Sequence, residues 1–401
     1  MRLWKLYGVV LLGVLIVYSP VYATNGFKTI GVGAINRAMG GAGVAAPQDA
    51  NAMVINPAGM TELENRMDIS IDMHKTTAHM DTTGTYGNTA AGKQKSGRDP
   101  SFIPTFGLVH KLKDSSVTLG AGLFGLAGCG VDYEKSRVGS GFTSNEFDKY
   151  TDYKFMTLSS GLAYKVDEKL SLGLAANLDY STFRSDVADS SFAETRGIRR
   201  VDQAFGGGFV LGALYKLNQE LSLGLCYTSR QWMQEFAKYQ DVVPRLDMPQ
   251  ELVVGVGYKL SDKWLWAFDF KWLDWNSVST LREQPAEGGF GWRDQYVYCL
   301  GNQYQLTDKV ALRMGYNYGR SAIPNDKVFA NALFPAVTEH HAGIGIGVNT
   351  SKDSQLSFAF DHGFKNSMED TGLGDSYSIN GKGTKIDLTC NAFVLEWSKV
   401  F

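Results

Sequence analysis

Bulky apolar residues occupy every second position over several stretches of the chain. Leu170, Leu172, Leu174, Ala176, Leu178 and Tyr180 alternate with Ser171, Gly173, Ala175, Asn177 and Asp179. Leu221, Leu223, Leu225 and Tyr227 repeat the pattern, as do Trp264, Trp266, Phe268, Phe270 and Trp272, and then Val310, Leu312, Met314, Tyr316 and Tyr318. A period of two with one bulky face predicts β-strands half immersed in an apolar medium. Alternation alone fits a soluble sandwich or a membrane barrel equally well. The connections separate the two. Fourteen strand candidates start near residues 67, 101, 116, 154, 169, 205, 220, 248, 263, 292, 308, 338, 354 and 385. Six connections are tight and polar: Lys113-Asp114-Ser115, Asp167-Glu168, Asn218-Gln219, Ser261-Asp262, Thr307-Asp308 and Thr350 to Ser354. The seven others run from about 14 to 25 residues, and short and long alternate strictly. That predicts an all-β chain, a fourteen-stranded antiparallel transmembrane β-barrel with short periplasmic turns and long external loops.

The last stretch agrees, because Phe401 follows Trp397, Leu395 and Phe393 at one parity, as in a barrel-insertion signal; Lys399 departs from it. The apolar parity switches between Leu388 and Phe393, which predicts a bulge or a displaced strand start there.

Composition narrows the class. Among 401 residues there are 22 Phe, 19 Tyr and 8 Trp, too many for a disordered chain. The net charge of -2 gives no electrostatic basis for nucleic-acid binding. Arg2 and Lys5, the apolar run Leu6 to Val17 and the small-residue site Val21-Tyr22-Ala23 predict a signal peptide over 1–23. No second helix-length apolar segment follows, so a membrane form has to be a closed barrel. Cys129, Cys226, Cys299 and Cys390 lie far apart without a C-x-x-C pair, which disfavours zinc; a disulfide is permitted in an exported chain but its pairing is not readable.

Catalytic chemistry is thin. His340 and His341 are adjacent, so on a strand they face opposite sides and cannot share a metal. An outer-membrane hydrolase would need a Ser-His pair, and nothing marks His74, His110 or His362 for that role. By parity Asp72, His74, Asp179, Asp269, Lys271, Arg313 and Asp361 point inward; Arg313, about halfway up its strand, and Lys271 are the cations that could receive a carboxylate, unless the inward acids already neutralise them. Two external loops, 184–204 and 233–246, carry Phe192, Ile198, Val201, Phe236, Tyr239, Val242 and Val243, either a capture surface or ordinary loop packing.

Residues 24 to about 65 are rich in Gly and Ala and poor in bulky residues. Gly40-Gly41-Ala42-Gly43 lacks the Lys-Ser/Thr of a phosphate loop, so a compact plug inside the lumen is the better reading. Gly26-Phe27, the stretch Gly31 to Gly43, Asp49 with Asn51, and Asn56-Pro57-Ala58-Gly59 resemble the N-terminal hatch of the FadL/TodX outer-membrane transport family. Leu312 to Tyr318, Ile323-Pro324, Phe334-Pro335 and Glu339-His340-His341 resemble its late strand pair. The resemblance spans the mature chain and implies a signal peptide at 1–23, a hatch at 24–65 and a barrel at 66–401.

It also implies passive uptake of hydrophobic molecules in the bacterial outer membrane: capture by loops, binding in the lumen, movement of the hatch and sideways exit at a kinked third strand. Carried onto this chain, Phe27 is the hatch tip that touches ligand, and Asn56, Pro57 and Ala58 lie by the gap in the wall. The strand to kink is Gly120 to Gly128, through Gly122, Gly125 and Gly128, with Phe124 as a ligand contact beside the loop residues Phe192 and Phe236. Valines at Gly125 and Gly128 would then straighten the strand. The expected substrate is a long-chain fatty acid or similar amphiphile, with Arg313 and Lys271 for its head, and a monoaromatic hydrocarbon is the alternative. The expected partners are that small molecule and the lipid and lipopolysaccharide of the outer membrane, around a monomer. No cofactor, protein partner or nucleic acid is implied. A non-transporting adhesin or phage receptor is the competing class.

Overall fold

The computed structural model describes residues 25–83, 92–136, 147–185, 201–240 and 243–401; the expected signal peptide and Phe192, Ile198 and Val242 lie outside them. Fourteen long strands follow one another: β1 Arg66–Asp81, β2 Ser101–Lys111, β3 Val117–Ser136, β4 Phe147–Lys165, β5 Leu170–Ser185, β6 Asp202–Lys216 and β7 Leu221–Thr228. The second half is β8 Glu251–Ser261, β9 Trp264–Leu273, β10 Gln295–Thr307, β11 Val310–Gly319, β12 His340–Asn349, β13 Ser354–Glu369 and β14 Lys385–Val400. Each pairs antiparallel with the next, and β14 closes the ring on β1 from Arg66↔Val400 to Asp81↔Lys385. Two short strands add to the external rim, Lys93–Lys95 on β1 and Trp232–Met233 on β6. No helix among the described residues is long and apolar enough to cross a membrane.

The sides of the sheet are inverted relative to a soluble protein. On β5, Leu172, Leu174 and Leu178 are exposed while Ala175 and Asp179 are buried, and Leu178 reaches 58% exposure. Lipid would cover that outer face, so the exposed leucines are not unburied core. Toward the external end the inversion disappears. Ile386, Leu388, Cys390, Ala392 and Val394 of β14 all face inward, alternating regularly with outward residues down to Phe393 and Leu395. The expected bulge between Leu388 and Phe393 is therefore absent from β14. Its pairing with β1 is unbroken, and the register shift falls on the neighbouring strand, between Gly363 and Asn366 of β13. What changes along β14 is the medium: below, apolar residues face lipid, and above, they face a core built by the loops. The same effect hid the start of β4, which begins at Phe147 rather than near 154. Tyr150 to Tyr153 are buried at both parities, which erases alternation.

Residues 25–65 run against the inner wall. Two short helices, α1 Gly33–Ala38 and α2 Ala52–Ile55, precede a 3-10 turn at Pro57–Glu62. The wall ties this segment down with inward carboxylates. Asp269 accepts from the backbone amides of Gly43 at 2.8 Å and Val44 at 3.0 Å, Glu396 from Ala34 at 2.9 Å, and Asp68 from Ala50 at 2.7 Å. Arg37 of α1 pairs with Asp72, and Lys216 with Glu62. A segment with so few large side chains has little apolar area to bury, so these charge-assisted bonds to backbone amides replace a core of its own. The glycines of the wall serve the same contact. Gly301, Gly315 and Gly343 sit side by side across β10, β11 and β12, and the backbone from Arg37 to Gly40 lies in the groove they leave.

A broken wall strand and the aromatic cage beside it

β3 has three successive partners along one edge. From Thr118 to Phe124 it pairs with β2, ending at Thr105↔Phe124. Next it meets the N-terminal segment: Thr29 donates its amide to Leu126 O at 2.9 Å, and Gly128 donates to Phe27 O at 2.8 Å. Higher still, Gly97 donates to Asp132 O at 2.8 Å while Ser96 donates to Ala78 O of β1 at 2.9 Å. On its other edge β3 slips register against β4 between Gly125 and Ala127. Beyond Thr105, β2 continues beside β1 alone, through Pro104, which has no amide to donate. The sheet is thus interrupted between the upper end of β2 and Gly125 to Cys129 of β3, and residues 27–29 lie along the break. A side chain added at Gly125 would meet Ile103 of β2. A valine there wedges the upper end of β2 and does not simply straighten β3 as expected from sequence.

Phe27 is fully buried in a cage of rings. Its ring lies 5.4 Å from Tyr153, 4.8 Å from Trp275 and 5.5 Å from Trp292, and the two tryptophans pack edge to face at 5.1 Å. Gly26, at φ +66°, turns the chain under the face of Trp275 where a side chain would not fit. Next to Phe27, Lys28 forms an ion pair with Glu251 of β8, so residues 25–29 bridge from β3 to the facing part of the wall. Above the cage the external loops build one apolar core containing Phe183, Phe236, Tyr239, Val278, Leu281, Ile323, Phe329, Phe334 and Val337.

The sequence-derived residues fall in different places. Phe27 is at the break, and so are Gly125 and Gly128. Gly122 lies below it, still within the β2–β3 ladder. Phe124 is fully buried but belongs to the lower core with Met53, Met60 and Val44, away from the cage, because β3 at that height still faces the packed segment. Asn56-Pro57-Ala58 does not lie by the break. Pro57 and Ala58 press on Gly173 and Gly212 of β5 and β6, and the Asn56 amide donates to Val44 O and Ala213 O, the geometry of a structural turn capped by its own asparagine. Phe236, Tyr239 and Val243 are buried in the loop core, so they present no exposed capture surface; Phe236 packs 5.4 Å from Phe183.

Arg313 lies a little below the middle of its ten-residue strand. It is the fourth residue of β11, donates to Gln303 at 2.6 Å, and lies in the half nearer the short turn, away from the cage end of the barrel. Lys271 is near the upper end of β9, with its ammonium 3.4 Å from where a side chain on Gly41 would begin. His340 and His341 do face opposite sides, the first exposed and stacked on Tyr318, the second buried beside Asp361. All four cysteines are free and buried. Sequence reasoning missed Tyr153, Trp275 and Trp292; the available signal was a pair of tryptophans, with Val278, Leu281 and Phe290, in one long loop.

Asp49, in the segment at the lower end, is pushed up to about 6 by burial and by the neighbouring Asp68 carboxylate. Its Oδ1 accepts from Asn51 N at 2.9 Å, while Oδ2 has no protein partner among the described residues. Because the folded state holds this proton more tightly than the unfolded chain, the contribution to stability is complete below pH of about 4 and is lost as pH rises through about 6. Asp49→Asn keeps a neutral side chain at every pH. It should slow amide exchange around residues 49–52 at pH 8, by up to the order of 1–3 kcal/mol in opening free energy, and leave it unchanged at pH 4. Equal effects at both pH values would remove the buried charge as the cause.

Residues 17–397 match the family described as outer membrane protein transport protein (OMPP1/FadL/TodX). Outer membrane protein P1 of Haemophilus influenzae is 24% identical over 275 residues, 55% of this chain and 58% of that protein. A 47 kDa outer membrane protein of Pasteurella multocida is 20% identical over 201 residues, 42% and 46% of the two chains. The aligned part thus spans about half the length of these curated relatives. Among solved structures, the Pseudomonas putida toluene transporter TodX superposes with a TM-score of 0.74 at 19% identity, covering 93% of this chain and 99% of that one. A Pseudomonas aeruginosa FadL homologue gives 0.70 at 16% identity, covering 94% and 100%. At these identities the structures establish the fold, a closed barrel of fourteen strands.

Proposed function

The chain belongs to the outer membrane protein transport family OMPP1/FadL/TodX, and from that premise we propose that it is a passive outer-membrane channel for hydrophobic compounds whose exit is the break in the wall at β3. The family is one of transporters and not of enzymes. The observation that carries the reading is the coincidence of three features at one place: the interrupted β2–β3 ladder, the backbone of residues 27–29 lying along it, and the Phe27 cage. Residues 25–65 act as the hatch. Phe27 occupies an apolar site that a ligand would take in its stead, and withdrawal of residues 25–29 clears the side exit into the membrane. A lateral route spares an apolar solute from crossing an aqueous channel, which would cost the hydrophobic free energy of its whole surface.

For the substrate we favour a long-chain fatty acid or similar amphiphile, with Lys271 alone as the receiver of the carboxylate. Lys271 is inward, below the cage and close to the hatch, whereas Arg313 is remote and bonded to Gln303. A buried carboxylate needs such a cation. The charge-free cage of four rings supports the second reading, a monoaromatic hydrocarbon. Binding of oleate and of toluene to the purified protein separates them. Lys271→Ala should weaken oleate by about tenfold or more and leave toluene unchanged, and Arg313→Ala should affect neither. Toluene binding without oleate binding would select the hydrocarbon. Equal uptake of both solutes by cells with and without the gene would instead leave a surface protein that does not transport.

A further inference from the structure

The outer surface of β13, β14 and β1 carries a group of charges that neither transport nor hatch packing uses. On these strands the outward residues from the short-turn end are apolar: Ile69, Ile71 and Met73 on β1, Leu356, Phe358 and Phe360 on β13, and Trp397, Leu395 and Phe393 on β14. Directly above, charged side chains gather on the outer face. Lys365 and Lys93 both approach Asp387, at 3.1 and 3.7 Å, and His79 meets the other oxygen of that carboxylate at 2.7 Å. Lys385 pairs with Glu369 at 3.3 Å, and Lys95 lies across from His79. The side chains of Lys93, Lys365 and Lys385 are each more than half exposed, at 53, 54 and 53%. Lys75, two rows below His79, donates to the Arg98 carbonyl. Lysines thus outnumber the acids Asp81, Glu369 and Asp387 on this face, before His79 is counted.

The adjoining wall is different at that level. Its outward residues on β10 to β12 are Tyr296, Tyr298, Tyr316, Tyr318 and His340, among which Tyr298, Tyr318, His340 and Tyr316 pack ring against ring in a lysine-free group. An aromatic girdle is the ordinary solution at a membrane interface. A lysine group that the adjoining wall lacks, placed where hydrocarbon ends on the external side, calls for anionic head groups. We propose that this face, through Lys93, Lys95, Lys365 and Lys385, is a docking site for the phosphates of a lipopolysaccharide molecule, whose acyl chains lie on the apolar band below. The lysine ammoniums supply the charge, His79 and Asp387 hold Lys93 and Lys365 in place, and Phe364, packed at 4.9 Å on His362, marks the depth at which the acyl chains begin. Short strand Lys93–Lys95 also forms part of the upper rim of the wall break, so the bound lipid would sit beside the side exit.

The test uses the intact protein in nanodiscs of phosphatidylethanolamine with diphosphoryl lipid A or fully dephosphorylated lipid A. The lipid retained after extraction is counted by native mass spectrometry. Wild type should retain diphosphoryl lipid A preferentially. Lys93→Gln, Lys365→Gln and Lys385→Gln combined should lower its retention at least about tenfold. The paired change Lys259→Gln and Lys263→Gln, at exposed positions by a short turn, should leave it unaltered. Inorganic phosphate at millimolar concentration should not compete. Equal retention of the two lipids, an unaffected triple variant with its heat-modifiable migration intact, or displacement by free phosphate would each overturn the proposal.

Discussion

Gly315→Val should turn a closed barrel into a conducting one. A side chain at Gly315 would overlap the backbone of Gly40 and Met39, and backbone atoms, unlike a flexible side chain, have nowhere to go. Gly40 itself, at φ +65°, is pressed against the backbone of Tyr316, so the two chains are already at contact from both sides. The strand should accept valine, because β-branched residues favour β geometry. The strain therefore falls on residues 37–40, which also lose the bond from the Asn317 amide to Gly40 O, 3.1 Å in the native arrangement. Overpacking of this kind costs about 1–3 kcal/mol where side chains can adjust and more where they cannot. Carboxylate bonds from Asp269 and Glu396 on either side are too local to hold the segment in place against it. The measurement is single-channel conductance in planar bilayers together with protease cleavage within residues 25–65. Met314→Val, one position along on the lipid face, serves as the control and should stay closed. A Gly315→Val protein as silent and as protected as wild type would show that the segment does not depend on this groove.

That groove also shows what could be read in the chain and what could not. Strand existence was legible because each strand alternates against lipid, and the turns were legible because Asp167-Glu168 or Asn218-Gln219 interrupts the alternation with polar residues. The partners of the wall glycines were not. Gly301, Gly315 and Gly343 are 14 and 28 residues apart in sequence, and only the register Gly301↔Gly315↔Gly343 makes them a continuous groove. Parity found the inward residues Asp72, Asp179, Asp269 and Arg313, yet it carries no height, so it could not tell that Arg313 sits near a short turn and Lys271 near a long loop. The loops posed the opposite difficulty. Trp275, Trp292, Phe329 and Phe334 lie in segments without periodicity, and their burial arises from contacts among three loops that no local pattern encodes. The stretch Leu388 to Phe393 misled for a related reason: a change of medium along one regular strand resembles a change of parity. Glycines at Gly125 and Gly128 did point to an irregular third strand, though the partner that takes over its edge, residues 27–29, could be found only by folding the chain.

The same partner decides the second large effect. Phe27→Ala should make the protein bind toluene at least about tenfold more tightly and should raise uptake of apolar solutes. Phe27 contributes a benzyl group to a cage whose other walls, Tyr153, Trp275 and Trp292, belong to the barrel and its loops. Any ligand entering that space must first displace it, so the apparent affinity is reduced by the fraction of time the ring is seated. Removing a buried phenylalanine ring costs about 3–5 kcal/mol of local packing. That loss falls on the seated arrangement, since the displaced one does not use the contact. What remains to hold residues 25–29 is the pair of backbone bonds to Leu126 and Gly128, the Thr29 hydroxyl bond to Leu126 O and the Lys28–Glu251 ion pair. These are exchangeable with water once the chain moves, so net they contribute only about 0.5–1.5 kcal/mol per hydrogen bond. The space left behind matches a single aromatic ring, and an apolar cavity of that shape stays dry until an apolar guest fills it. Calorimetric titration with toluene, alongside uptake in cells, reads both effects. Phe27→Leu, which refills most of the volume, should fall between wild type and Phe27→Ala. If toluene binds Phe27→Ala no better than wild type while the aromatic cage retains its near-ultraviolet circular dichroism, then the cage is structural packing and the ligand is held elsewhere.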